Sequence, residues 1–223
     1  MELRTLGQFV EQEGIVDSLR EMVSQIITHS TKEAKTAGKQ QKLPVVQCFN
    51  CTAKKACCHS IVVARFYEGV VVAAHLRRDG RDTPEMREEL RAKAEAMEAA
   101  SPFDWRVPCV FLDGAERCTV YASRPTPCGT LYVYSPPVSC SDPSANVKAY
   151  IAHAENDMAL QIEEQFRERL ALRKKAGRRY MGVLPRMVLV ALEAWDRTDF
   201  RDFLRQLEWP SDAEAARWSR RSP

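Results

Sequence analysis

The sequence predicts a mostly α-helical α+β protein, with a cysteine-rich central module that contains a small β-hairpin and helical regions on either side. Three observations support this. Apolar residues recur at helical spacing over long stretches near both ends of the chain. A short segment of alternating residues surrounds Asp113-Gly114, which is typical of a hairpin turn. All eight cysteines lie between Cys48 and Cys140.

The composition is that of an ordinary globular protein, with 45% hydrophobic and 28% charged residues in a chain of 223. No apolar run approaches the roughly 18 residues of a membrane span, so we expect a soluble protein without a membrane partner. The net charge of +3 argues against nucleic acid as the main partner. The stretch Met1–Gly7 lacks the features of a signal peptide, which favours a cytoplasmic location.

The N-terminal part of the chain predicts one amphipathic helix from Gly14 to Ala37, stopped by a glycine. The polar run Lys39–Pro44 then predicts a linker. We therefore expect three segments: an N-terminal helical segment at 1–44, the cysteine-rich module at 45–142 and a C-terminal helical region at 143–223.

Inside the central module, Ile61–Ala64 predicts a short strand. The valines between Tyr67 and Arg78 fit either a strand or a helix, and we favour a helix. Thr83 is a good N-cap and a proline follows it, so a charged helix is predicted over Pro84–Ala100.

The segment Val107–Tyr121 predicts the β-hairpin. A tight two-residue turn at Asp113-Gly114 would place Cys109 directly opposite Cys118, with side chains about 5 Å apart. A loop of four residues would place Phe111 opposite Cys118 instead. With either loop, two thiols that are distant in sequence come together.

Prolines shape the backbone around the last two cysteines, and we expect neither Cys128 nor Cys140 to be helical. An apolar stripe then predicts one long helix from Ser144 to Gly177. Shorter helices are predicted at Pro185–Trp195, from Thr198 or Asp199 to Leu207, and from Ser211 onward.

In a reducing compartment, clustered thiols are better explained by metal binding than by disulfides. The spacing Cys48-x2-Cys51 lets a tight turn present two thiolates to one ion, and the later cysteines provide more soft ligands than one tetrahedral site uses. Vicinal Cys57 and Cys58 point in different directions in extended chain, so one of them or both could be ligands. The candidate metal ligands are Cys48, Cys51, Cys57, Cys58, Cys109, Cys118, Cys128 and Cys140.

The C-x2-C and CC cluster, followed by Cys109-Val-Phe-Leu, Cys118-Thr-Val-Tyr-x2-Arg-Pro-x2-Cys128 and Ser-Cys140, resembles the YkgJ-type zinc- or iron-chelating domain family. The resemblance covers roughly residues 45–150 and implies metal chelation by the matching cysteines. The chain departs from the family pattern in two places. Five residues separate Cys51 from Cys57 where the family usually has three, and Gly129 stands where an arginine is usual.

Zinc and iron both suit such thiols, and iron includes the option of an iron–sulfur cluster. We expect His59 and Arg124 to be candidates for hydrogen bonds to the ligands rather than ligands themselves. The chain has no Gly-rich phosphate loop, Ser-His-Asp arrangement or H-E-x-x-H motif, so no catalytic residue is predicted.

Three functions are therefore compatible with the sequence. The first is a metal-binding protein in which zinc or iron is structural or carried for delivery. The second is an iron–sulfur redox or methyl-transfer enzyme, which the resemblance implies because related signatures occur in flagellin lysine methylases. The third is a zinc-stabilised interaction module that binds a protein partner through the basic stretch Arg167–Arg179.

Overall fold

The computed structural model describes residues 4–46, 56–101, 105–142, 145, 147–150, 154–172 and 179–219. Most of the described chain is helical, as the sequence predicts, and short antiparallel strands complete an α+β fold. The helices are α1 (Leu6–Gln12), α2 (Ile15–Gln41), α3 (Phe66–Arg78), α4 (Pro84–Ala99), α5 (Thr126–Gly129), α6 (Ala154–Arg169), α7 (Leu184–Trp195), α8 (Phe200–Gln206) and α9 (Asp212–Ser219). The strands are β1 (Val63–Arg65), β2 (Tyr132–Val133), β3 (Ala149–Tyr150) and β4 (Met181–Val183).

Helices α3 and α7 form the centre of the core, and α4 packs on α7. Both central helices are apolar on nearly every face, which is the pattern of a helix surrounded by protein. They approach closely at Gly69, where a Cβ atom would lie 2.5 Å from the backbone oxygen of Met187. The absence of a side chain at Gly69 therefore allows the two helix backbones to touch.

Two strand–helix units build this centre. Strand β1 runs directly into α3, and β4 runs directly into α7. The strands pair antiparallel, with Val63 opposite Val183 and Arg65 opposite Met181. This pairing fixes the first turns of both helices beside each other.

Helix α2 lies along the side of the core and contacts α3, α5 and α6. It also supports the second sheet, in which β2 pairs antiparallel with β3 and Val46 forms a bridge with Val133. The hydroxyl of Tyr132 donates to the carbonyl oxygen of Ile27 at 3.2 Å, which links β2 to α2. One large apolar cluster draws residues from all three of the segments that the sequence predicts.

Two sequence predictions about helix length are wrong. Helix α2 continues to Gln41, so much of the predicted linker is helical. The predicted long C-terminal helix is divided, because Ala149–Tyr150 form β3 and α6 covers only Ala154–Arg169. The chain leaves α6 through Ala171, whose φ of 54° is left-handed.

The other helix predictions are close to the structure. The charged helix ends within a residue or so of its predicted bounds, and the ambiguous valine-rich segment is the helix α3. Residues 173–178 lie outside the described part of the chain. Within the described residues, every helix is too short or too polar to cross a bilayer.

Candidate metal centre

The first cysteine cluster is described from Ala56 onward, where Ala56–His59 form a short 3-10 turn carrying Cys57 and Cys58. Both cysteines are half-buried. The backbone N–H of Cys109 donates to the carbonyl oxygen of Cys58 at 2.8 Å, so this turn is joined directly to the segment of the next cysteine. The predicted ligands Cys48 and Cys51 lie outside the described residues.

The turn between Cys109 and Cys118 has a register that neither predicted loop gives. Leu112 lies opposite Cys118, and the N–H of Asp113 donates to the carbonyl oxygen of Arg117 at 2.9 Å. The loop therefore has three residues, and its last residue, Glu116, has a left-handed φ of 56°. Beyond the turn, the bridge between Leu112 and Cys118 and the hydrogen bond from the Thr119 N–H to the Phe111 carbonyl oxygen continue the pairing. Residues 105–123 nevertheless form no regular β-strand.

The Asp113 side chain explains this register. Its Oδ1 accepts the backbone N–H groups of Ala115 and Arg117 at 2.9 and 2.8 Å, and its Oδ2 accepts from the Arg117 guanidinium. The bond from the Arg117 N–H is the main reason that the pKa of Asp113 lies below its ordinary value. Because one carboxylate satisfies two amides of the loop, the three-residue form is favoured over a tighter turn.

The loop still brings the two cysteines together, as the sequence predicts. Cys109 and Cys118 both pack against the main apolar cluster. The pKa of the Cys109 thiol is raised to about 11, mainly by burial and to a smaller extent by the nearby Cys118. Beyond Cys118, the carbonyl oxygen of Thr119 lies 3.2 Å from Nε2 of His75, which ties this segment to α3.

Cys128 lies in the four-residue helix α5, so the prediction that it is not helical is wrong. Its backbone N–H donates to the carbonyl oxygen of Pro125 at 3.0 Å. A proline in the first turn of a helix is tolerated because the N–H that it lacks has no partner inside the helix. Pro127 therefore favours this short turn rather than preventing it.

Cys140 is also helical, in the 3-10 turn Pro137–Ser141, and the same explanation applies because a proline begins the turn. This turn contacts the Ala56–His59 turn of the first cluster. The early and late cysteines are therefore neighbours in the fold although more than 80 residues of sequence separate Cys57 from Cys140.

The sulfur of Cys128 interacts electrostatically with three other cysteines. Burial is the main reason that the pKa of the Cys128 thiol lies well above its ordinary value. The negative charges of Cys109, Cys118 and Cys57 raise this pKa as well. Four thiols from three separate segments are thus close enough to influence one another. Such a group is unfavourable as four thiolates unless a cation lies among them.

The donor set suits a soft ion, since thiolates are preferred ligands of zinc and of iron in clusters. The side chains are not in ligand positions, however. Among the residues with described placement, no three His, Cys, Asp or Glu side chains are arranged to hold one ion. The fold of the described residues brings the thiols near one another. The cysteine side chains would have to rotate to coordinate one ion.

The two residues proposed to assist the ligands have different surroundings. His59 is half-buried in the same turn as Cys57 and Cys58. Arg124 lies with its guanidinium carbon 4.2 Å from the centre of the exposed Tyr121 ring. It lines a cavity of about 190 Å³ between α2, α3 and residues 121–125, with Arg20 and Glu68 also on its wall.

The buried carboxylate Glu68 was missed by the sequence analysis. It is 2% exposed and lies in the first turn of α3. Its two oxygens accept the backbone N–H groups of Arg65 and Thr126, both at 2.7 Å. A glutamate three residues after a helix N-cap is a recognisable signal, but an arginine at the cap position hides the usual motif.

The basic C-terminal stretch is only partly described. The side chain of Arg167 is 15% exposed and pairs with Glu164 at 3.1 Å. It also donates to the carbonyl oxygen of Leu172. Trp209 has a packing role, because its indole N–H donates to the carbonyl oxygen of Leu204 and its ring contacts Phe66 and Tyr180.

Comparison with known proteins gives one positive result. Residues 47–156 match the CxxCxxCC family, described as a "putative zinc- or iron-chelating domain". This is the family that the cysteine pattern resembles, and the match supports binding of a metal ion. No curated protein and no solved structure matches the chain.

Proposed function

From the match of residues 47–156 to a zinc- or iron-chelating family, we propose that this chain binds a zinc or iron ion through cysteine thiolates and that the ion is structural. The observation that carries the proposal is that the fold brings these cysteines together. The Cys109 N–H donates to the Cys58 carbonyl oxygen at 2.8 Å, Cys118 lies opposite Leu112 in the same loop, and Cys57, Cys109 and Cys118 are near enough to Cys128 to raise its pKa. These four thiols come from a 3-10 turn, a three-residue loop and a short helix that share little backbone pairing.

The four residues have separate roles in this proposal. Cys128 is the ligand from α5, where burial is the main reason that the pKa of its thiol is raised. Cys109 and Cys118 supply two thiols from one loop whose register Asp113 fixes. Cys57 supplies the ligand from the first cluster, where the Cys58 carbonyl oxygen holds the turn against Cys109.

A bound zinc or iron ion would stabilise the thiolate forms and contribute its binding free energy to the folding of these loops. This is a structural role rather than delivery, because the ligands are spread over the chain from residue 57 to 128. Release of the ion would leave the thiols crowded together without a cation between them. In a protein that delivers a metal ion, we expect the ligands to keep their positions when the ion is released.

The test is to purify the full chain anaerobically and to measure its metal content and visible absorption. We expect zinc or iron in a whole-number ratio to protein, with brown colour and sulfide only if the metal is an iron–sulfur cluster. Protein that holds no metal and binds neither added Zn²⁺ nor Fe²⁺ would contradict the proposal.

The Cys128→Ser variant identifies the site. We expect it to lower metal affinity by more than about tenfold, since a hydroxyl is a poor replacement for a thiolate ligand. The matched control is Thr130→Ser, which keeps the hydroxyl that donates to the Thr126 carbonyl oxygen at 2.9 Å. Equal metal affinity in the two variants would exclude Cys128 as a ligand.

The kinetics of metal release separate a structural ion from a delivered one. We expect release to a competing chelator to be slow and to coincide with opening of the loops, as measured by tryptophan fluorescence and amide exchange. Rapid release without any change in amide exchange would favour delivery instead.

A further inference from the structure

The buried carboxylate Glu68 has a role in the fold that the metal proposal does not use. Glu68 is only 2% exposed. Burying an ionised carboxylate is unfavourable unless hydrogen bonds compensate for its lost hydration. Burial is accordingly the main reason that its pKa is raised. A side chain with this cost needs a local explanation.

Its hydrogen bonds supply that explanation. Oε2 accepts the N–H of Arg65 at 2.7 Å, which caps the first turn of α3. Oε1 accepts the N–H of Thr126 at 2.7 Å, across 58 positions of sequence. One carboxylate thus joins the start of the central helix to the start of α5.

Thr126 is the first residue of α5, and Cys128 is the third. A four-residue helix has too few internal hydrogen bonds to hold its own position. On its other side, the turn is limited by Ile27, whose Cδ1 would lie 2.2 Å from a Cβ atom at Gly129. The turn is therefore held between a carboxylate on α3 and an apolar side chain on α2.

We propose that Glu68 is a positioning residue for the metal centre, which holds the Cys128 thiol towards Cys109 and Cys118 by fixing the Thr126 N–H. This inference rests on the proposed metal site. Glu68 itself is not a ligand here, because both of its oxygens accept backbone N–H groups. Partners of this kind orient metal ligands in many proteins, and their loss lowers metal affinity by about 10- to 100-fold.

The variant Glu68→Gln tests the role with little change in size. An amide has one accepting oxygen, so its NH₂ group must face one of the two backbone N–H donors. We expect about tenfold weaker retention of the metal against a chelator. We also expect a weaker thiolate-to-metal absorption band after loading with Co²⁺, at a temperature where circular dichroism shows the variant folded.

The matched control is Glu163→Gln. Glu163, on α6, is a half-buried carboxylate near the start of α3 that pairs with the Arg65 side chain, and among the described residues no hydrogen bond joins it to the Cys128 turn. We expect this variant to lower the unfolding temperature while metal retention and the Co²⁺ band stay as in the wild type. A general loss of stability would affect both variants alike.

A second pair of variants changes Thr126, the donor of the hydrogen bond to Glu68. This pair tests the proposal even if Glu68→Gln does not fold. Thr126→Pro removes the donating N–H at a first-turn position where proline is tolerated, and Thr126→Ala keeps it. We expect Thr126→Pro to weaken metal retention by about tenfold and Thr126→Ala to change it much less. In the double variant with Glu68→Gln, the two losses should not add, because both remove one interaction.

The outcomes distinguish the two proposals. Wild-type protein that binds no metal overturns the metal site and this inference together. Wild-type protein that binds metal, with Glu68→Gln and Thr126→Pro retaining it equally well, overturns only the positioning role of Glu68. Equal losses in Glu68→Gln and Glu163→Gln also overturn it, since a general structural effect then explains both.

Discussion

The core around α3 and α7 and the cysteine-bearing loops at 56–60 and 105–142 are stabilised by different interactions. In α3, ten of 13 residues are buried, which leaves no face of that helix to solvent. The loops contribute Val110, Phe111 and Val120 to the main apolar cluster, but their turns are held by individual hydrogen bonds, such as those from the Cys109 N–H to the Cys58 carbonyl oxygen and from the Thr126 N–H to Glu68. Their six described cysteines are all only half-buried.

This difference has a thermodynamic meaning. Each fully buried Val, Leu or Phe side chain contributes about 1.5–3 kcal/mol to folding, so the core has a large and distributed source of stability. A hydrogen bond contributes only about 1 kcal/mol. We therefore expect the core to fold without an added ligand and the cysteine-bearing loops to become more rigid when one binds.

The largest expected effect is on the core. Gly69→Ala places a methyl group 2.5 Å from the Met187 backbone oxygen, and backbone cannot move aside as a flexible side chain can. We expect a loss of about 3 kcal/mol or more in the free energy of unfolding, measured with urea. The control is Gly114→Ala, in the cysteine loop, where no heavy atom lies within 4 Å of the added methyl. A stable Gly69→Ala protein would show that the two helices are less tightly packed than the structure indicates.

Metal removal acts on the other region. After treatment with a strong chelator, we expect amide exchange in residues 56–60 and 105–142 to rise by about tenfold or more, because binding free energy is lost there. The amides of α3 and α7 should keep their protection. Unchanged exchange in the loops would contradict a structural metal. Equal loss of protection in both regions would show that the core also depends on the ion.

The charged junction between α3 and α4 gives a smaller effect. Burial alone would raise the pKa of Asp82, but hydrogen bonds and charges from Arg87, at 2.6 Å, and Arg77, at 2.7 Å, outweigh it and lower the pKa. A lowered carboxyl pKa stabilises the fold above the unfolded value of about 3.9, and this contribution is lost as pH falls through the folded pKa.

We therefore expect Asp82→Asn to reduce the free energy of unfolding by about 1 kcal/mol at pH 7. The difference from wild type should shrink below about pH 4, where Asp82 of the unfolded chain takes up a proton, and should disappear once the folded carboxylate is protonated as well. Urea unfolding at several pH values measures this, with metal retention as the control that should not change. A difference that is constant down to acid pH would exclude the ion pairs as its cause.

The smallest expected effect concerns the register of the Cys109–Cys118 loop. Asp113→Ala removes the acceptor of two loop amides, and we expect metal affinity to fall a few-fold, less than the effect of a lost thiolate ligand. Arg117→Ala is the matched control, because it removes the exposed guanidinium and keeps both amide bonds. If both variants bind metal as the wild type does, the loop register does not determine the position of the two thiols.

The sequence predicted the core better than the cysteine loops, for a physical reason. Helices α4 and α7 have strong periodicity and end signals that depend only on neighbouring residues, such as Thr83 before Pro84. The C-terminal helix was overextended because its apolar spacing continues through Ala149 and Tyr150, although these residues pair with β2.

The loops depend on contacts that local patterns do not contain. The three-residue turn requires a carboxylate that accepts two amides and a non-glycine residue, Glu116, with positive φ. The bond from Thr126 to Glu68 joins positions 58 residues apart. The sequence could identify the thiols and the likeness to a family of metal-binding domains, but it could not show which backbone groups hold them.

The contact between Gly129 and Ile27 shows that the cysteine-bearing turns pack against a helix outside the family match. At the position where the family pattern that this sequence resembles has an arginine, Gly129 lets Ile27 of α2 pack against the Cys128 turn. Helix α2 lies wholly before the segment that resembles the chelating domain, and α7 lies wholly after it. A fragment limited to the family's borders would thus lack both the helix that packs against the proposed metal site and the partner helix of α3. For this chain, we expect the smallest unit that folds and holds metal to be considerably larger than the motif by which it is recognised.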